Sequence, residues 1–261
     1  MKHCPIHNID YEGTIGNGSF KIDRPCPRCE EELEKQEKAK AEEEQRRAQI
    51  RTYTKMNIEP EFYNATLANY IAETAEQMAA VRAINRLVSG EIKKLVMLGT
   101  NGTGKTHLAI AAVKKLGGAI YSMSEILVRI RDSYSPSASE TEGEIRSELI
   151  RLPLLAIDEL GRTKGSDAEI NTLSYIVDKR HQKLLPLILI SNRHSSNDCQ
   201  RGGCPECFEN YIGEDSMSRL VQDGLLLRLS GSDWRKSHKS TISINNRMAH
   251  QKKRTAKRTA K

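Results

Sequence analysis

At 261 residues the chain has room for one full α/β domain and a small accessory module. The polar Met1–Ser19 stretch and the lack of any run of about eighteen apolar residues exclude a signal peptide and a membrane span, and point to a cytoplasmic protein. The formal net charge of +7 is unevenly spread: residues 247–261 carry seven Lys+Arg and no Asp or Glu, which leaves 34 bases against 34 acids elsewhere.

Six cysteines in such a chain argue for reduced thiols or metal ligands rather than disulfides, and they fall into two groups of three. The first group reads C-x2-H then C-x2-C, with Cys4, His7, Cys26 and Cys29. Two close pairs on tight turns supply the four ligands of a tetrahedral zinc site, and residues 1–29 hold too few apolar side chains to fold without a metal. His3 is a rival fourth ligand, but it leaves no spacer before Cys4, so His7 is preferred. Residues 30–51, rich in Glu, Lys, Arg and Gln, spell an exposed charged helix with Glu31–Lys35 and Glu34–Lys38 one turn apart. A globular core follows over 52–245, and residues 246–261 form a basic tail that is too polar to fold.

Apolar residues at helical spacing from Leu67 to Ser89, closed by Gly90, predict a helix before the first chemical landmark. That landmark is Gly99-Thr100-Asn101-Gly102-Thr103-Gly104-Lys105-Thr106. It lies between the apolar run 95–98 and the helical pattern that starts at His107. Strand, glycine-rich turn and helix in this order form a phosphate-binding loop, because flexible glycines let backbone N–H groups and a helix N-terminus aim at one anion. Lys105 would reach the outer phosphates of ATP, and the Thr106 hydroxyl would hold Mg2+. Phe62 and Tyr63 are candidates to lie against the adenine or to pack on the helix.

Residues 119–123 read as a second strand, and Ser124 as the cap of a helix over 125–133 that ends near Arg129, Arg131 and Tyr134. Residues 135–143 read as a mobile loop. The apolar run 154–157 then ends in Asp158-Glu159. Asp158 would stand beside the metal held by Thr106, and Glu159 would polarise the attacking water. A helix over 167–182 leads to the strand 187–191 and Asn192. In a parallel sheet all strand ends share one crevice, so Asn192 should join Lys105 and Asp158 there. Residues 194–210 contain Cys199, Cys204 and Cys207, which with His194 make a second candidate zinc knuckle whose fourth ligand stays open. Arg219 follows on a short helix, then a strand over 225–229, then Gly231-Ser232-Asp233-Trp234-Arg235.

Six ordered features, FYNATLANY, GTNGTGKTHLA, LLAIDELG, IVDKRHQ, LILISN and SRL…GSDWR, resemble the DnaC-type helicase loaders, with their DnaI and IstB relatives, among the AAA+ ATPases. The resemblance covers Pro60 to Arg235. It implies a P-loop AAA+ core with a five-stranded parallel sheet, no helical lid, and an added N-terminal zinc module. It also implies Walker A roles for Gly99 through His107, Walker B roles for Asp158 and Glu159, and sensor 1 for Asn192. Arg219 matches an arginine finger that completes a neighbour's site, which implies self-association, and Arg235 is a candidate second sensor. Arg131 and Tyr134 match a basic-x-x-aromatic pair that touches single-stranded DNA. Ser166 matches another DNA-contacting serine, although Ala168 stands where an aromatic is expected. The implied function is ATP-dependent loading of a hexameric replicative helicase onto single-stranded DNA, with slow, partner-dependent hydrolysis. The alternatives are a transposition helper that binds duplex DNA and a transposase, and a nucleotide-gated adaptor with little hydrolysis.

Overall fold

A computed structural model describes residues 1–15, 22–162, 165–201 and 204–234. The expected basic tail, the candidate sensor Arg235 and the segment on which the absence of a lid depends lie outside the described residues. The chain divides into two compact units, 1–54 and 55–261.

In the first unit, two small antiparallel pairs precede a long helix: β1 (Lys2–Cys4) with β2 (Ile9–Tyr11), and β3 (Thr14–Ile15) with β4 (Ile22–Asp23). Helix α1 (Pro27–Lys55) buries none of its residues. It starts three residues before the expected charged helix and ends four after it, so Cys29 sits in its first turn. Surface pairs such as Glu31–Lys35 at 2.7 Å and Glu43–Arg47 at 2.5 Å are one turn apart. Such solvent-exposed pairs add little to the stability of the helix.

The second unit is built on five parallel strands in the order β6 (Ala119–Ser122), β7 (Leu155–Leu160), β8 (Leu187–Ser191), β5 (Lys94–Gly99), β9 (Gly224–Leu229). Leu95–Leu98, Leu155–Ile157 and Leu187–Ile190 are all buried, as near-continuous apolar strands must be when both faces of a sheet are covered. Helices α3 (Lys105–Leu116) and α6 (Asp167–Gln182) follow their strands as crossovers. The latter buries Leu173, Ile176 and Val177 at the three- and four-residue spacing of one face. The register aligns Leu98 with Ser191, Gly99 with Leu229 and Ser122 with Asp158, so these chain ends come out at one rim.

Three local expectations need correction, and in each a capping box decides. The helix expected over 67–89 is α2 (Ala75–Val88), because the Thr74 side chain takes the Gln77 N–H while Gln77 returns to the cap. Residues 67–70 are thereby left free to turn toward the rim. Ser122, three residues before Glu125, caps α4 (Met123–Asp132), and Ser124 lies inside its first turn. The loop read over 135–143 ends early, since Thr141 and Glu144 start an unanticipated helix, α5 (Glu142–Arg151). The rest of that loop is held by Arg129, which donates to both carboxylate oxygens of Glu140, at 2.6 and 2.9 Å. Helices α7 (Phe208–Ile212) and α8 (Glu214–Gln222) lead into β9. Phe208, Tyr211 and Ile212 belong to the core, so the expected 194–210 insert ends inside it.

Arg180 on α6 is fully buried. It donates to the carbonyls of Leu149 (2.7 Å), Leu152 (3.0 Å) and Pro186 (2.5 Å), which ties the end of α5 to the approach of β8. Burial lowers its pKa to about 10, still well above neutrality. Replacement by Met strands these carbonyls, and Arg180→Met should lower unfolding stability by on the order of 3 kcal/mol in urea titration.

Candidate nucleotide site and metal-ligating clusters

The loop after β5 turns on residues that only glycine suits. Gly102 and Gly104 have φ of 77° and 86°, and a Cβ on them would stand 1.9 Å from Asp233 Oδ1 and 2.4 Å from Tyr70 Cε2. Gly104 caps α3, so the helix opens with its free N–H groups facing the loop. Lys105 is 5% exposed, and its Nζ donates to the carbonyls of Gly99 (2.8 Å) and Thr100 (2.7 Å). Thr103 Oγ1 donates to the Thr100 carbonyl at 3.0 Å, closing the turn.

At the end of β7, Thr106 Oγ1 donates to Asp158 Oδ2 at 2.6 Å, and the Glu159 N–H donates to Asp158 Oδ1 at 2.6 Å. Desolvation by burial is the main influence on Asp158 and raises its pKa despite both hydrogen bonds. Glu159 has φ of 58°, and the register between β7 and β8 shifts between Ile157 and Leu160. Such a bulge re-aims side chains at a strand end, and a non-glycine residue in this conformation costs on the order of 1 kcal/mol. Glu159 Oε1 accepts from Arg162 Nη1 at 2.8 Å on the surface.

Lys105, Thr106, Asp158, Glu159 and Asn192 line one cleft of 250 Å³ with Asn101–Gly104 and His107. The carboxylates, the lysine and the amide therefore do converge at one rim. Sequence reasoning missed much of the apolar wall. Of the two aromatics for which cleft and helix packing were both open, Phe62 lines the cleft and Tyr63 is not among the lining residues, whereas Tyr70, Ile71 and Trp234 also line it. Tyr70 donates its hydroxyl to the Thr103 carbonyl at 2.9 Å, and its ring lies 5.4 Å from that of His107. The Trp234 backbone N–H donates to the Gly102 carbonyl at 3.2 Å. Lys114, from α3, donates to the carbonyls of Phe62, Tyr63 and Ala65 at 2.8–3.0 Å, which pins the aromatic segment beside the loop. Each of these contacts joins residues far apart in the chain, so spacing carries no signal of them. A basic loop below an aromatic wall has the polarity of a nucleoside triphosphate: anionic at one end, flat and apolar at the other.

A family model described as "IstB-like ATP binding protein" matches residues 29–241. The chain belongs to this family. It is 28% identical over 192 residues to the replicative helicase loader DnaC of Escherichia coli strain K12, covering 70% of this chain and 71% of the relative. It is 26% identical over 181 residues to DnaC of Buchnera aphidicola subsp. Schizaphis graminum, covering 66% and 67%. The crystal structure of the DnaC helicase loader has the same fold, with a TM-score of 0.55 at 23% identity over 66% of this chain and 100% of that one. That of DnaI matches with a TM-score of 0.51 at 19% identity over 68% and 94%. It resembles the AAA+ ATPases of the DnaC/DnaI/IstB group, and family and fold together support ATP binding and hydrolysis.

In this IstB-like ATPase the other predicted site residues lie apart from the cleft. Arg219, on α8, sits 2.5 Å from Asp178 Oδ1 of α6 and donates to the Asp215 carbonyl at 3.1 Å. Arg131 and Tyr134 are exposed at the end of α4, and the Tyr134 hydroxyl donates to Glu142 Oε2 at 2.7 Å while 68% of the residue stays accessible. The Ser166 hydroxyl oxygen accepts the Glu169 N–H and caps α6.

In the first unit, Cys4, His7, Cys26 and Cys29 bring their ligand atoms within 4.8 Å of one another. His7 Nδ1 lies 3.4–3.8 Å from the three sulfurs, and Cys4 Sγ is 3.7 Å from Cys29 Sγ. Ligands about 2.0–2.3 Å from a central zinc stand roughly 3.5–3.8 Å apart at the corners of a tetrahedron, so the donor set and its spacing fit that ion. His7 Nε2 meets Glu32 Oε1 at 3.1 Å, which fixes the ring with Nδ1 toward the thiols. His3 is committed instead to Asp10, at 2.8 Å. The backbone N–H of His7 is the main cause that lowers the Cys4 thiol to about 6 and so favours the ligating thiolate.

Because burial raises the Asp158 pKa, its ionised form opposes folding, and that cost is present in full once pH exceeds the folded pKa. Asp158→Asn should therefore be more stable than the parent protein at neutral pH in the absence of nucleotide. The difference should vanish as pH falls through the carboxylate range, as followed by urea unfolding at several pH values.

Proposed function

We propose that this chain is an ATP-dependent replication factor that binds the hexameric replicative helicase and loads it onto single-stranded DNA. The observation that carries this reading is the 28% identity with DnaC over 192 residues, 71% of that relative's length. In the ATPase core the loop amides and the N-terminus of α3 hold the triphosphate, and Lys105 exchanges two carbonyl acceptors for phosphate oxygens. Thr106 and Asp158 hold Mg2+, which would neutralise the charge on the transferring phosphoryl group. Glu159 accepts the proton of the attacking water, and the Asn192 amide orients it. One oxygen of the Glu159 carboxylate, Oε1, accepts from Arg162 in an exposed pair that opens at little cost. Slow basal turnover stimulated by DNA or a partner belongs to the same reading.

Arg219 supports self-association: exchange of Asp178 for a neighbour's γ-phosphate would complete a shared site, in a core that works without a helical lid. Residues 1–29, holding Zn2+, and the charged helix beyond them grip the helicase, joined to the core over 52–245 and the basic tail over 246–261. No helix among the described residues is long and apolar enough to cross a membrane. Arg131 and Tyr134 contact single-stranded DNA through charge and through stacking on the exposed ring. The IstB-like description of the matching family favours the transposition helper as the second reading. Copurification from the native host separates the two: a replicative helicase supports loading, and a transposase overturns it.

Glu159→Gln should retain ATP while its turnover falls at least roughly 100-fold, as measured by phosphate release beside a fluorescent-nucleotide titration. Unchanged turnover would remove Glu159 from the mechanism. Tyr134→Ala should weaken binding to single-stranded DNA by about 1–3 kcal/mol per stacked base, read by fluorescence anisotropy, with nucleotide affinity intact.

A further inference from the structure

The segment between β8 and α7 contains a cluster that the nucleotide site does not use. His194, Cys199, Cys204 and Cys207 bring one ligand atom each within 4.8 Å of the others, and Cys204 Sγ lies 3.6 Å from His194 Nε2. None of the three cysteines is in a disulfide. The Cys204–Cys207 stretch closes as a tight turn, with the Cys207 N–H on the Cys204 carbonyl at 3.2 Å and the Glu206 N–H directed at the Cys204 sulfur. The same arrangement recurs in the first unit, where the His7 N–H serves Cys4. Three thiols and one imidazole at tetrahedral spacing select a borderline-soft ion that needs no open coordination position.

We propose that these four residues bind a second, structural Zn2+, which clamps the end of the Asn192 strand to the helices that carry Arg219. His194 follows Asn192 by two residues and bridges to Cys207, with the Phe208 N–H on the His194 carbonyl at 2.9 Å. Phe208 is fully buried, so the fourth ligand is one residue from the core. Arg193 braces the knuckle from the other side. Its Nη1 donates to the Pro205 carbonyl at 2.8 Å, its Nε to the Gly161 carbonyl at 3.1 Å, and its guanidinium lies 4.6 Å from the Tyr211 ring. Glu209 of α7 accepts from Ser195 Oγ at 2.6 Å and from the Ser196 N–H at 2.9 Å, and Asp198 accepts from Arg228 of β9 at 2.8 Å. The loop is thus anchored to β7, α7 and β9, and α7 runs through Gly213 into α8 with Arg219. The ion would tie Cys199 and Cys204 directly to His194 and Cys207, beside the bonds that Arg193 and Asn210 already make to the carbonyls of Pro205 and Cys204.

The test is metal analysis of the full-length protein purified with zinc. The parent chain should carry two zinc ions, and Cys26→Ser with Cys29→Ser should carry one. Cys199→Ser with Cys204→Ser, which spares the buried Cys207, should also carry one. Reconstitution with Co2+ gives a second readout: the variant lacking Cys26 and Cys29 should still show the visible d–d bands of a tetrahedral thiolate site. Those bands should disappear when Cys199 and Cys204 are replaced as well. Hydrogen exchange over 194–212 should accelerate on zinc removal by chelation. One zinc in the parent chain, together with none and no cobalt bands in the Cys26/Cys29 variant, would overturn the proposal.

Discussion

A sheet whose strands all run one way has to deliver every strand's C-terminal end to the same rim, and this constraint places the chemistry of the protein. Gly99 ends β5, Asp158 lies at the register shift two residues before the end of β7, and Asn192 follows β8. β8 lies between the other two, so the strand that brings the amide separates the strands that bring the lysine loop and the carboxylates. A single hydrogen bond from Thr106 to Asp158 spans that gap and sets the distance between loop and acid. The bulge at Glu159 turns the neighbouring carboxylate away from the ladder.

At this rim, and at the opposite edge of the sheet in the case of Arg180, the molecule places buried or half-buried cations against backbone carbonyls. Lys105 holds two carbonyls of its own loop, Lys114 three of the aromatic segment, Arg180 three at the approaches of α5 and β8, and Arg193 two beside the cysteine knuckle. Lys105, Lys114 and Arg180 reach from helices and Arg193 from just beyond β8, and each satisfies carbonyls at the ends of regular elements or outside them. The arrangement explains how loops that share little secondary structure with their neighbours keep a defined place at the rim. Lys105 differs from the rest in function, because its acceptors can be exchanged for an anion.

Strands and chemistry-bearing turns were legible where the signal is local. The apolar runs that end in Gly99, Asp158 and Ser191 announced their strands, and the spacing of Cys4, His7, Cys26 and Cys29 announced a ligand set before any distance was known. Helix starts were misread where apolar spacing was given more weight than capping. Leu67, Tyr70 and Ile71 continue the periodicity of α2, yet the reciprocal bonds of Thr74 and Gln77 start the helix at Ala75. The same oversight hid α5 behind Ser135–Gly143 and moved the start of α4 from Ser122 to Ser124.

By itself the sequence determined the α/β class, the phosphate loop, the acidic strand end and the Cys4, His7, Cys26 and Cys29 ligand set, since each is carried by local pattern; it left the fourth partner of Cys199, Cys204 and Cys207 open, and the fold brought His194 to them. Tertiary structure decided what meets the loop. Tyr70 and Trp234 reach Thr103 and Gly102 from segments some thirty and more than one hundred residues away. Arg219 came to Asp178 only through the packing of α8 on α6. Such partners are chosen by the geometry of packed elements, and no local pattern in a single chain encodes them.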